Sequence, residues 1–144
     1  MKKIMFIGKS GCGKTSLSQA LRGQDITYLK TQAVKYAGMV VDTPGEFAEN
    51  RRFYSALMVS AAKADIIGFV QDATARVSIF PPKFASMFKK EVIGIISKTD
   101  LDGSDIPRSE RFLKLAGAGT ILETSALERT GVARVLELLE NDPG

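Results

Sequence analysis

The chain has 144 residues, 44% of them hydrophobic and 25% charged, with a formal net charge of +4. That length suits a single domain, residues 1–144, with one well-buried core. The modest positive charge suits polyanionic small ligands and falls short of the dense basic stripe of a nucleic-acid binder, so no nucleic-acid partner is expected. One cysteine rules out an internal disulfide, and the absence of histidine removes imidazole bases and imidazole metal ligands. Chemistry in this chain therefore rests on Mg²⁺, lysine, carboxylates and hydroxyls. No stretch approaches the ~20 apolar residues of a membrane span. The apolar run after Lys2-Lys3 stops at Gly8, too early for a signal peptide. A cytoplasmic protein is expected.

In chain order, Lys2 to Ile7 reads as a short buried strand, and Ser16 to Leu21 carries apolar residues at helical spacing. Between them stands Gly8-Lys9-Ser10-Gly11-Cys12-Gly13-Lys14-Thr15, a complete GxxxxGK[ST] loop. Its glycines let consecutive backbone N–H groups turn inward around a phosphate chain, and the positive end of the next helix favours the same anion. Ser16 opens that helix and adds one more group to the cradle. Lys14 is placed to reach the terminal phosphates and act in transfer, and the Thr15 hydroxyl to ligate Mg²⁺. Cys12 counts as a loop position whose thiol receives no role. This loop marks a nucleoside phosphate site.

Residues 23–32 are the place for a first switch segment, where Thr27 and Thr31 could each bring a second hydroxyl to Mg²⁺. Thr31 is preferred, because it lies immediately before the next strand, and it is counted as both metal ligand and catalytic group. Ala33 to Tyr36 and Met39 to Val41 flank Ala37-Gly38 and read as a tight hairpin. Asp42-Thr43-Pro44-Gly45 follows, a DxxG motif: the aspartate can hold Mg²⁺ and the glycine N–H can contact a γ-phosphate. Glu46 stands next, where a carboxylate could act as a base toward water. Arg51, Arg52 and Arg76 read as solvated, and none is assigned as a finger on the γ-phosphate.

Phe53 to Ala64 reads as a helix. Ile66 to Val70 and Val92 to Ile96 are continuous apolar runs, the pattern of parallel strands covered on both faces. Pro81 to Phe88 is expected as a short helix, Ser109 to Ala116 as another, Thr120 to Glu123 as a last strand and Val132 to Leu139 as a closing helix. The alternation predicts a three-layer α/β fold: a mostly parallel, six-stranded sheet with one antiparallel strand and helices on both faces. Ligands of such sheets bind beyond the carboxyl ends of the strands.

Two further motifs stand at such ends. Ser97-Lys98-Thr99-Asp100 matches the guanine-reading pattern Asn/Thr-Lys-x-Asp, with Asp100 to accept from the base and the Lys98 stem to pack against it. Ser97 departs from the pattern, since one hydroxyl cannot reproduce both hydrogen bonds of an asparagine amide. Thr124-Ser125-Ala126 matches a loop whose backbone, at Ser125 and Ala126, meets the base carbonyl.

The ordered series GKSGCGKT, DTPGE, SKTD and TSA resembles the Ras-like P-loop GTPases along nearly the whole chain. The strings Lys30-Thr31-Gln32-Ala33-Val34 and Ile96-Ser97-Lys98-Thr99-Asp100 are similar more particularly to the EutP/PduV family. That resemblance implies a nucleotide-binding protein of bacterial ethanolamine or propanediol utilisation, associated with a microcompartment. Three activities follow from it as alternatives. The favoured one is a Mg²⁺-dependent switch that binds GTP and GDP, hydrolyses GTP slowly and gates a regulatory partner. Another is a phosphotransferase passing the γ-phosphoryl of ATP to acetate, and the third is a scaffold that docks to the microcompartment shell.

Overall fold

The computed structural model describes residues 3–9, 11–12, 40–41 and 50–125, and in the last segment residues 131, 134–135 and 137–138. Five parallel strands stand in the order β2-β1-β3-β4-β5, with β1 at Ile4–Ile7, β2 at Val40–Val41, β3 at Ile66–Asp72, β4 at Glu91–Ser97 and β5 at Thr120–Glu123. The central position of β1, β3 and β4 follows from their composition, since only apolar runs tolerate cover on both faces. Ile4, Met5, Ile66, Ile67, Phe69, Ile93 and Ile95 are almost wholly buried. Among the described residues every strand pair is parallel. The hairpin strand expected at 33–36, and with it the antiparallel sixth strand, lies outside them.

The register sets the two faces. Met5, Ile67 and Val92 are aligned across the sheet, as are Ile7, Phe69 and Gly94, so these side chains share one face. On it lie helix α1 (Tyr54–Ala61), through Leu57 and Ala61, and helix α2 (Ile106–Ala116), through Leu113 and Ala116. Gly94 lets α2 approach closely, because a Cβ there would stand 2.9 Å from Leu113 Cδ1. An aromatic cluster fills the rest of this face. Phe69 stacks on Phe80 at 4.7 Å between ring centres and meets Phe84 at 5.4 Å and Phe88 at 5.9 Å. The opposite face, carrying Ile4, Phe6, Ile66, Val70, Ile93 and Ile95, is equally buried, so both faces are covered.

Three helix boundaries differ from expectation. The helix expected over Phe53 to Ala64 is a 3₁₀ turn at Arg51–Phe53 followed by α1, because the Asn50 side chain accepts from Arg52 N and starts the turn earlier. The helix expected over Pro81 to Phe88 shrinks to a 3₁₀ helix at Phe84–Met87. Lys83, at a left-handed φ of 61°, breaks it from the prolines. Helix α2 starts at Ile106, before Ser109, because Asp105 caps it through Arg108 N at 3.0 Å and Pro107 fits the first turn.

Candidate functional site

The loop leaving β1 turns at once. Cys12 N donates to Lys9 O at 3.0 Å, and Gly11 takes a φ of 83°. Gly8 is demanded by contact, because a Cβ there would lie 2.6 Å from Cys12 Sγ and 2.7 Å from the Val70 carbonyl. The loop is thus pressed against β3 with no room for a side chain. Cys12 is buried, and Lys9 is exposed.

The last residue of β4 and the one after it reach back to this loop. Ser97 is buried, and its hydroxyl donates to Cys12 O at 2.6 Å, with a longer 3.4 Å contact to Gln71 O. One hydroxyl therefore braces the loop, on a single strong bond. Lys98 takes a left-handed φ of 59°, and its ammonium donates to Gly11 O at 2.6 Å. The same ammonium pairs with Asp72 at 3.1 Å.

Asp72 was not singled out by sequence reasoning. The signal for it is positional, an acidic side chain at the last residue of a buried parallel strand, where ligands of such sheets gather. Its Oδ1 accepts from Thr74 N at 2.8 Å and Thr74 Oγ1 at 2.6 Å. Burial by itself would raise the pKa of this carboxyl. The Thr74 hydroxyl and amide, with the Lys98 ammonium, outweigh burial and hold it below the ordinary 3.8.

The segments after β4 and β5 are joined as well. Ser125 Oγ donates to Asp100 Oδ1 at 2.7 Å, which sets the rotation of the carboxylate expected to read a base. Beneath it Thr99 Oγ1 donates to Thr124 O at 2.9 Å, and Thr124 N donates to Ile96 O at 2.8 Å. Beside the loop opens a pocket of about 180 Å³, with Lys9, Cys12, Gln71, Asp72 and Val77 in its wall.

The structure thus brings together Gly8, Gly11, Cys12, Ser97 and Lys98, and separately Asp100 and Ser125. Lys9 stands at the rim of the pocket. Ser10, Gly13, Lys14, Thr15, Ser16, Thr31, Asp42, Gly45, Glu46 and Ala126 lie outside the described residues. The three expected magnesium ligands, Thr15, Thr31 and Asp42, are among them. Arg51, Arg52 and Arg76 are exposed, as expected. Among the described residues no helix is long and apolar enough to cross a membrane.

A parallel sheet whose first strand runs into this glycine loop, backed by the ends of β3, β4 and β5, has the α/β fold of a G domain. The G domain of FeoB from Methanococcus jannaschii superposes with a TM-score of 0.63, covering 96% of this chain and 95% of that one at 21% identity. The chain belongs to the PduV-EutP family of ethanolamine and propanediol utilisation, whose model matches residues 1–141. Propanediol utilization protein PduV of Citrobacter freundii is 50% identical over 92% of this chain and 89% of its own. A protein named probable acetate kinase EutP, from Salmonella typhimurium, is 36% identical over 78% of this chain and 72% of its own. Its counterpart in Escherichia coli is 35% identical over 81% and 75%.

Proposed function

We propose that this protein binds a nucleoside triphosphate with Mg²⁺, favours GTP, and hydrolyses it slowly, serving ethanolamine or propanediol utilisation. The observation that carries the reading is the Asp100–Ser125 bond of 2.7 Å beside a Lys98 already tied to the loop. A carboxylate set in rotation offers the planar pair of acceptors that guanine needs, and the Lys98 stem would pack against the base. In this reading the loop from Gly8 to Thr15 and Ser16 holds the phosphates, with Lys14 on the terminal ones. Lys98, Asp100, Ser125 and Ala126 hold the base. Thr15, Thr31 and Asp42 would hold Mg²⁺, which when bound neutralises charge on the phosphate oxygens. Gly45 would contact the γ-phosphate, and Glu46 would orient or deprotonate water. With no arginine assigned to the γ-phosphate, intrinsic turnover should stay below about 10⁻² s⁻¹.

Transfer of the γ-phosphoryl from ATP to acetate is the second reading. It is favoured by the name of the 36%-identical relatives and by the pocket that Lys9 borders beside the loop. A microcompartment association belongs with either reading.

Phosphorus NMR of the protein with Mg²⁺ and GTP or ATP, with and without acetate, separates the two. Slow decay of GTP to GDP and phosphate, indifferent to acetate, supports the first. Acetyl phosphate formed from ATP only with acetate present overturns it. Asp100→Asn should relax discrimination of GTP from ATP, and unchanged discrimination would refute the assignment of the base site.

A further inference from the structure

Strand β3 ends on Asp72, paired in register with Ser97, so its carboxylate lies between the phosphate loop and the segment after β4. Each oxygen of that carboxylate is engaged. Oδ1 takes both donors of Thr74, which fixes the side chain, and Oδ2 faces the Lys98 ammonium at 3.1 Å. Lys98 is about one-third exposed, so water would compete for its ammonium if the carboxylate were neutral.

The ammonium so held meets the Gly11 carbonyl, while the N–H of the same peptide unit, that of Cys12, donates to Lys9 O. A trans peptide points its carbonyl and N–H in opposite directions. One peptide plane of the loop is therefore clamped from both ends, on one side by its own turn and on the other by Lys98. Ser97 holds the next carbonyl along, that of Cys12, independently of Asp72.

We infer that Asp72 is a positioning residue: by pinning the Lys98 ammonium on the Gly11 carbonyl, it ties the base-reading segment to the phosphate loop. Nucleotide affinity then depends on a carboxylate that need not touch the nucleotide, a consequence that rests on the nucleotide-binding reading above. Lys98 has two tasks, its stem beside the base and its head on the loop, and Asp72 makes them compatible.

The test is a double-mutant cycle of Asp72→Asn and Lys98→Met, read in two ways. The first is the affinity for GDP with Mg²⁺, and the second is hydrogen exchange at the Cys12 amide in the nucleotide-free protein. Asparagine keeps an Oδ1 acceptor for Thr74, and it replaces the charged Oδ2 that faces Lys98 by an NH₂ group that cannot accept from the ammonium. Asp72→Asn should weaken GDP binding and speed Cys12 exchange about tenfold each, the size of one hydrogen bond to a charged group. In the Lys98→Met background the same change should add nothing, and Asp72→Glu should restore part of the affinity. A full Asp72→Asn effect in the absence of Lys98 would overturn the inference, because the carboxylate would then act on its own account. An unchanged affinity in Asp72→Asn, with wild-type protein binding GDP, would overturn it too. If wild-type protein binds neither GDP nor GTP, the nucleotide reading fails and takes the claim about affinity with it. Cys12 exchange then decides the clamp alone, and unchanged exchange overturns it.

Discussion

Replacing Gly8 by alanine tests how tightly the glycine loop is pressed on the sheet. The added methyl would stand 2.6 Å from Cys12 Sγ and 2.7 Å from the Val70 carbonyl oxygen. Ordinary contact for a Cβ begins near 3.4 Å, so the sulfur must retreat by roughly 0.8 Å and the carbonyl by roughly 0.7 Å. Neither can retreat cheaply. Val70 sits mid-strand in β3, in register with Ile95, and Cys12 is buried with its carbonyl held by Ser97. Overpacking of this kind costs about 1–3 kcal/mol. With a urea dependence of about 1–3 kcal/mol per molar, the unfolding midpoint should fall by about 1 M. Urea unfolding followed by circular dichroism, on Gly8→Ala beside wild type, reads this directly. Adding Cys12→Gly should recover only part of the loss, because the clash with the Val70 carbonyl remains. A midpoint within 0.2 M, or about 0.4 kcal/mol, of wild type would show that the loop is not seated on β3 as described.

Three further perturbations have defined outcomes. Phe69→Ala removes the hub of the aromatic cluster, whose ring meets Phe80, Phe84 and Phe88. It should cost about 3–5 kcal/mol in chemical unfolding, and a loss under about 1 kcal/mol would mean that the cluster is not packed. Ser97→Ala removes the 2.6 Å bond to the Cys12 carbonyl and should cost about 1–3 kcal/mol, whereas Ser97→Asn should keep the brace. Equal losses in the two variants would argue against a hydrogen-bonding role. Because the Asp72 carboxyl is held below its unfolded value of 3.8, its contribution is present above that pH and disappears as pH falls through the folded value. Stability of wild type should therefore fall more steeply than that of Asp72→Asn as acid is added below about pH 4. Parallel acid-unfolding curves for the two proteins would contradict this.

Much of the framework is legible in the chain itself. The apolar runs at Ile66 to Val70 and Val92 to Ile96 are central strands, because continuous burial leaves no polar alternation. Periodicity was weaker at the ends of helices. Asp105 starts α2 three residues before Ser109, and Lys83 cuts the segment after Pro82 to a 3₁₀ turn. Both are settled by single capping or left-handed residues, which leave little trace in an apolar pattern.

The glycine loop, the SKTD and TSA segments and their places after strands follow from local sequence, because spacing and strand ends are local properties. What joins them does not. Ser97 reaches Cys12 across 85 residues, Lys98 reaches Gly11 across 87, and Ser125 reaches Asp100 across 25. Hydrophobic period reports which face of an element is buried and carries no information about which strand lies beside which. Only the order β2-β1-β3-β4-β5 makes the end of β3 a neighbour of both the loop after β1 and the turn after β4. That placement turns Asp72, one acid among many in the sequence, into the carboxylate that holds Lys98.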